Sequence, residues 1–184
     1  IQDGIDSMIG LVDSLLDLRR IEAGVGLKLE MVHTADIIEQ IIQQQRPQAV
    51  NKQISLQAEI ETDMEPVQAD PVLLRQAFAN LLENAIKYTQ PKGSVTIQAG
   101  YSGGLHWVKF RDTGAGIAPA DQARLFEKFK AVHSEREPDP GAEGMGLGLA
   151  IVRSIIEQHD GRIMVESKLG QGSVFTVELP GSNP

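Results

Sequence analysis

Gly144-Met145-Gly146-Leu147-Gly148-Leu149-Ala150-Ile151 is the stretch from which the rest of the chain is best read. A glycine run that opens a helix is a phosphate-binding device, because glycine lets the backbone approach closely and the free helix N–H groups attract anions. A dinucleotide fingerprint would need a strand directly before its glycines. Here the residues ahead of them, from Lys130, are polar and loop-like. Further upstream lie Asp112-Thr113-Gly114-Ala115-Gly116-Ile117 and Asn80-Leu81-Leu82-Glu83-Asn84-Ala85-Ile86-Lys87-Tyr88. Two asparagines one helical turn apart and a carboxylate at a strand end add a metal ligand and a base reader. Together the three stretches describe a nucleotide site.

Working outward, the spacing predicts helices alternating with strands. Asp70-Pro71 is a helix start, a capping acid followed by proline at the first position, and the helix should run to Tyr88. Thr34 is expected to cap a helix reaching about Gln45, with Ile37, Ile38, Ile41 and Ile42 on one face. Strands are expected at 54–60, 94–101, 105–111, 162–167 and 173–179, and short and long helices at about 119–129 and 146–159. Val95, Ile97 and Ala99 alternate with Thr96 and Gln98, and Phe175, Val177 and Leu179 with Thr176 and Glu178. Such strands have one oily and one polar face, so helices should cover a single face of a mixed, largely antiparallel sheet. The expected fold class is therefore α/β (α+β), a two-layer sandwich. Ahead of it, Ile5, Met8, Val12 and Leu15 mark one long helix whose apolar stripe is too broad for a lone surface helix.

Composition limits the alternatives. The 184 residues are 41% hydrophobic and 23% charged, with a net charge of −8 and no cysteine. An acidic balance argues against general nucleic-acid binding, which needs a basic face. The missing thiols exclude disulfides and suit a reducing compartment. No apolar run approaches the roughly 20 residues needed to span a bilayer. The chain opens inside what reads as a helix and is expected to be a piece of a longer protein.

Within the site, Asn80, Asn84, Lys87 and Tyr88 follow i, i+4, i+7, i+8 and share a polar helix face, apart from the stripe of Leu74, Phe78, Leu81, Leu82 and Ala85. An amide oxygen suits Mg²⁺, which prefers hard oxygen ligands and bridges phosphates; Lys87 can neutralise phosphate charge. Strand alternation aims Asp112 toward the core with Val108 and Phe110, where a carboxylate must find donors. The adenine exocyclic amine is such a donor, whereas guanine offers a carbonyl there, so ATP is favoured over GTP. A plain turn after a strand is the other reading of Asp-Thr-Gly. The polar loop over 130–143 reads as a lid closing on nucleotide, or as an insertion without that role. His33, His106, His133 and His159 have no metal-ligand spacing and read as surface or strand residues, and Trp107 as a packing or interface residue.

In this order and spacing the motifs resemble the catalytic and ATP-binding domain of bacterial sensor histidine kinases. Asn80–Tyr88 resembles the N box, Asp112–Ile117 the G1 box, Leu125-Phe-Glu-Lys-Phe129 the F box, Gly144–Ile151 the G2 box, and Gly170-Gln-Gly-Ser173 a terminal glycine box. Leu15–Gly24 is similar to the end of the second helix of the dimerisation and phosphoacceptor domain. The resemblance implies residues 1–24 as that helix, 25–33 as a linker, 34–180 as the catalytic ATP-binding domain and 181–184 as a tail. It implies an ATPase-type fold shared with type II topoisomerases, MutL proteins and a heat-shock chaperone. Asp112 would read adenine, Asn84 would hold Mg²⁺ assisted by Asn80, Lys87 would contact phosphate, and Tyr88 would line the ribose and adenine side. The glycine boxes would add Gly114, Gly116, Ile117, Gly144, Met145, Gly146, Leu147 and Gly148 to the ATP-binding set. The reaction implied is γ-phosphoryl transfer to a histidine, for relay to an aspartate on a response-regulator receiver domain, within a homodimeric parent; the chain itself is expected in the cytoplasm, whether or not the parent is anchored to a membrane.

Two departures from the family stand out. The phosphoacceptor histidine has no counterpart among the four histidines, so this chain is expected to bind Mg-ATP without phosphorylating itself. Lys130-Ala131 replaces the Tyr-Arg pair that many members carry after the F box, leaving Lys130 or Arg136 to meet the γ-phosphate. Glu83 sits where related ATPases place an acid that activates water. That keeps open an ATP-hydrolysing conformational switch, beside a serine kinase and a non-catalytic nucleotide-binding scaffold.

Overall fold

The structure is a computed structural model and describes residues 26–128 and 146–181. Its elements, in chain order, are β1 (Glu30–Val32), α1 (Thr34–Asn51), β2 (Ser55–Ile60), β3 (Val67–Ala69), α2 (Pro71–Tyr88), β4 (Ser94–Ser102), β5 (Leu105–Asp112), α3 (Pro119–Gln122), α4 (Gly148–Gln158), β6 (Arg162–Lys168) and β7 (Gly172–Pro180). The expected helix over 1–24 lies outside the described residues.

Five strands form one sheet in the order β2-β4-β5-β7-β6. Only β2 and β4 run parallel; the other three pairs are antiparallel. This is the mixed, largely antiparallel sheet that the alternation predicts. One face carries Val95, Ile97, Ala99, Val108, Phe110, Phe175, Val177 and Leu179, all buried. Helix α2 packs on it with Leu74, Phe78, Leu81 and Leu82 at 0–1% exposure, flanked by α1 and α4. Phe78 and Phe110 meet ring to ring, 5.6 Å between centroids and tilted by 58°. Removing a ring so enclosed costs about 3–5 kcal/mol. The other sheet face has no helix among the described residues and carries the half-buried Trp107, with Lys109 Nζ 5.1 Å from its ring centroid.

Asp70 starts α2 as expected: its Oδ1 accepts from Val72 N at 3.0 Å and Leu73 N at 3.1 Å. It also holds two other parts of the chain. Its Oδ2 accepts from Lys28 N at 3.0 Å, and its own N–H donates to His159 Nε2 at 2.9 Å. The Nδ1 of His159 then donates to Ile155 O at 2.7 Å, which fixes a neutral ring with its proton on Nδ1. His159 is thus a buried strut at the end of α4. Burial alone would raise Asp70, yet the three backbone donors Lys28, Leu73 and Val72 bring its carboxyl below the ordinary value.

Several boundaries differ from the sequence reading. The first helix is capped at His33, not Thr34, whose buried hydroxyl makes no hydrogen bond. That helix continues past Gln45 and through Pro47 to Asn51. The stretch expected as a linker over 25–33 contains β1, paired antiparallel with β3. The helix expected at 119–129 is a single turn, Pro119–Gln122, and the one at 146–159 starts at Gly148.

Candidate nucleotide site

Asp112 ends β5 on the core face of the sheet, opposite Val95 on one side and Ser173 on the other. It is 7% exposed and has no cation beside it among the described residues. Gly114 N donates to its Oδ1 at 2.7 Å, and Ser173 supplies both its backbone N–H and its hydroxyl. Burial still outweighs these donors and holds the carboxyl above the ordinary aspartate value. An acceptor this well aimed, and this poorly solvated, is suited to a neutral N–H donor of a ligand.

The turn after Asp112 is packed against its neighbours without intervening side chains. A Cβ on Gly114 would lie 2.4 Å from Tyr88 O; on Gly116, at φ +68°, 2.0 Å from Lys168 O; on Gly172, at φ +88°, 2.0 Å from Asp112 O. Backbone hydrogen bonds close the same seams, Ala115 N to Tyr88 O at 3.4 Å and Gly170 N to Ala115 O at 2.7 Å. The end of α2, the 112–117 turn and the β6–β7 hairpin therefore form one floor. Ile117 N donates to Ser167 Oγ at 2.8 Å, and Gln122 Nε2 clamps Ile117 O and Ser167 O at 2.8 and 2.9 Å.

Along α2, Asn80, Asn84 and Lys87 are half-buried and Tyr88 is exposed. Lys87 Nζ lies 5.4 Å from the Tyr88 ring centroid, and partial burial lowers its pKa. Thus Asn84, Lys87 and Tyr88 lie on the last turns of the helix that closes against the Asp112 turn. Glu83 does not join them, because its Oε1 accepts from Gln45 Nε2 at 2.8 Å, on the side facing α1. Gly146 (φ +66°) and the buried Leu147 lead into α4, which starts at Gly148 with no side-chain cap and no acid in its first turn. Among the described residues nothing takes its first amides, which suit an anion, and nothing lies within 4 Å of a Cβ built on Gly148. Gly144, Met145, Lys130 and Arg136, with Phe129 of the F box and His133, lie outside the described residues. No cluster of three or more His, Asp or Glu side chains able to hold a metal occurs among the described residues.

Ser167 was not singled out from the sequence, and Ser173 appeared only as the end of a glycine box. Their signal was present: Ser173 is in phase with Phe175, Val177 and Leu179, and Ser167 with Ile163 and Val165, so both face the core beside Asp112.

A two-layer sandwich with a buried acceptor at a strand end, a glycine-packed floor and a helix start without a side-chain cap is the set of features a nucleotide-binding protein carries. The model of the histidine kinase-, DNA gyrase B- and HSP90-like ATPases matches residues 69–183, and the chain belongs to that family. It is 35% identical over 183 residues to the circadian input-output histidine kinase CikA of Synechococcus elongatus, covering 98% of this chain and 24% of CikA. It is 36% identical over 176 residues to the adaptive-response sensory kinase SasA of Gloeothece citriformis, covering 90% of this chain and 42% of SasA. The chain thus spans less than half the length of these relatives. Full-length ShkA, solved in complex with AMPPNP, matches with a TM-score of 0.83 and 31% identity over 97% of this chain and 36% of ShkA. The histidine kinase ThkA, solved with the response regulator protein TrrA, shares the fold with a TM-score of 0.77 at 22% identity, over 98% of this chain and 49% of ThkA.

Proposed function

We propose that this chain is the ATP-binding kinase module of a sensor histidine kinase, delivering the γ-phosphoryl group to a histidine that lies elsewhere in the protein. The observation that carries the reading is Asp112, a buried carboxylate with no cation beside it among the described residues and aimed from the core face into the floor of the site. Asp112 would accept from the adenine amine, Tyr88 would line the ribose side, and Lys87 and the amides at Gly148 would meet the phosphates. Gly114, Gly116 and Ile117 would form the surface under the base. Gly144, Met145, Gly146 and Leu147 belong to the same proposal through the family's glycine box.

The amide oxygens of Asn84 and Asn80 fit Mg²⁺, a hard cation that keeps water and phosphate oxygens as its other ligands. The ion would neutralise charge on the transferred group, and the protein's part is positioning. Lys130 and Arg136 are the candidates for a cation near the γ-phosphate. The bond between Glu83 and Gln45 weighs against Glu83 as the base of an ATP-hydrolysing switch. The phosphohistidine would in turn donate to a receiver-domain aspartate, and the parent would be a homodimer with residues 1–24 as part of its dimerisation domain.

The test supplies the chain with a dimerisation domain carrying the phosphoacceptor histidine and γ-labelled ATP. Label should reach that histidine as an acid-labile phosphate only when both are present. Steady phosphate release with no acceptor would instead favour the hydrolytic switch, and absence of ATP binding would end the proposal.

A further inference from the structure

On the core face, Asp112, Ser173 and Ser167 stand side by side across β5, β7 and β6. Ser167 Oγ accepts from Ile117 N at 2.8 Å, and its one hydroxyl proton is in reach of Gly172 O at 2.9 Å and of Ser173 Oγ at 3.0 Å. Ser173 Oγ in turn reaches Asp112. Two hydroxyls hold two protons, and four acceptors compete for them: Gly172 O, Ser167 Oγ, Ser173 Oγ and the Asp112 carboxylate. An ionised carboxylate is the strongest acceptor of the four, because a charge-assisted hydrogen bond is about twice as strong as a neutral one. It draws the Ser173 proton to itself. The Ser173 oxygen is then left as an acceptor, and the Ser167 proton turns onto it from Gly172 O. Four groups now run head to tail, from Ile117 N–H through Ser167 and Ser173 to Asp112, and each bond polarises the next.

We infer that Ser167 is a positioning residue for base recognition, acting through Ser173 to keep Asp112 an acceptor for the exocyclic amine and to fix the Gly116–Ile117 floor beneath the base. Ser167 touches no nucleotide atom in this role. The inference rests on the reading of Asp112 as the base reader. A serine in this place is otherwise a polar residue on a strand next to a turn, and a threonine would keep the hydroxyl.

The experiment measures affinity for ADP and for purine riboside 5′-diphosphate, which lacks only the exocyclic amine, with the full chain and with Ser167→Ala and Ser167→Thr. The unaltered chain should prefer ADP. In Ser167→Ala the ADP affinity should fall by about fivefold, the net worth of one neutral hydrogen bond, and the preference for the amine should shrink by a similar factor. Ser167→Thr should restore both. A role confined to holding the hairpin together would weaken the two ligands equally and leave their ratio unchanged, which would overturn the inference. An unchanged ADP affinity in Ser167→Ala would do the same. If the unaltered chain binds ADP but shows no preference for the amine, the fault lies with Asp112 as base reader; if it binds neither nucleotide, the proposed function fails.

Discussion

Replacing Asp112 by asparagine separates what this carboxylate does for a ligand from what it does for the fold. The amide is nearly isosteric and can still accept from Gly114 N, now at 2.7 Å from Oδ1. It presents an N–H₂ group where the ligand needs an acceptor. Losing a hydrogen bond to a charged group costs about 1.5–3 kcal/mol, so ADP should bind roughly ten- to a hundredfold more weakly. Stability should respond differently. Burial raises the folded pKa of Asp112, so the native state holds this proton more tightly than the unfolded chain does. Stability is therefore lost as pH rises from the unfolded value, about 3.9, through the folded one, and the whole penalty is present only above the folded value. Asparagine relieves that penalty and forfeits part of the bonding to Ser173. The net change at pH 7 should lie within about 1 kcal/mol. Calorimetric titration with ADP reads the first quantity, and urea unfolding followed by the single tryptophan, Trp107, reads the second. Equal ADP affinity in a folded variant would refute base reading by Asp112. A variant that unfolds would refute the stability estimate instead.

Asp70→Ala should destabilise by about 2–4 kcal/mol, from a lost helix cap and a lost charge-assisted bond to Lys28 N. Because the folded pKa of Asp70 is depressed, its charge-dependent contribution is full above about pH 4 and disappears as pH falls through the folded value; urea unfolding at several pH values checks this. Asn84→Asp should leave the fold intact and reduce label transfer to a supplied dimerisation domain at least tenfold, because a charged ligand alters the ion's balance with the phosphates; unchanged transfer removes Asn84 from the metal site. Gly172→Ala meets Asp112 O at 2.0 Å in a left-handed conformation and should cost more than about 2 kcal/mol, with a lowered thermal midpoint. Phe78→Ala should cost about 3–5 kcal/mol and, if it folds, leave the nucleotide preference unchanged.

The second helix was readable because three independent signals coincide there: a capping acid, a proline at the first position and an apolar stripe about three turns long. The β1–β3 pair was not readable, since three residues are too few to display a period. Thr34 missed its role by one place; a cap is set by where the chain turns, and β1 delivers His33 to that corner. Alternation told which face of β2 and β4 is oily but not that they are parallel neighbours, because faces are local and partners are not. The site followed the same division. Asp112 and the glycines announced themselves through residue type, whereas Ser167 and Ser173 became visible only once strand register laid them in line with Asp112. Glu83 shares its helix with Asn80 and Asn84, and its partner, Gln45, is distant in sequence.

At Gly114, Gly116 and Gly172 main chain rests on main chain. A surface made this way has no rotamers to sort. A purine seated there as proposed would meet a shape already set, and little ordering entropy would be spent on that side of the ligand. Adjustment on binding would then fall to the longer side chains of α2, so discrimination among bases and the grip on the phosphate tail could be tuned by separate substitutions.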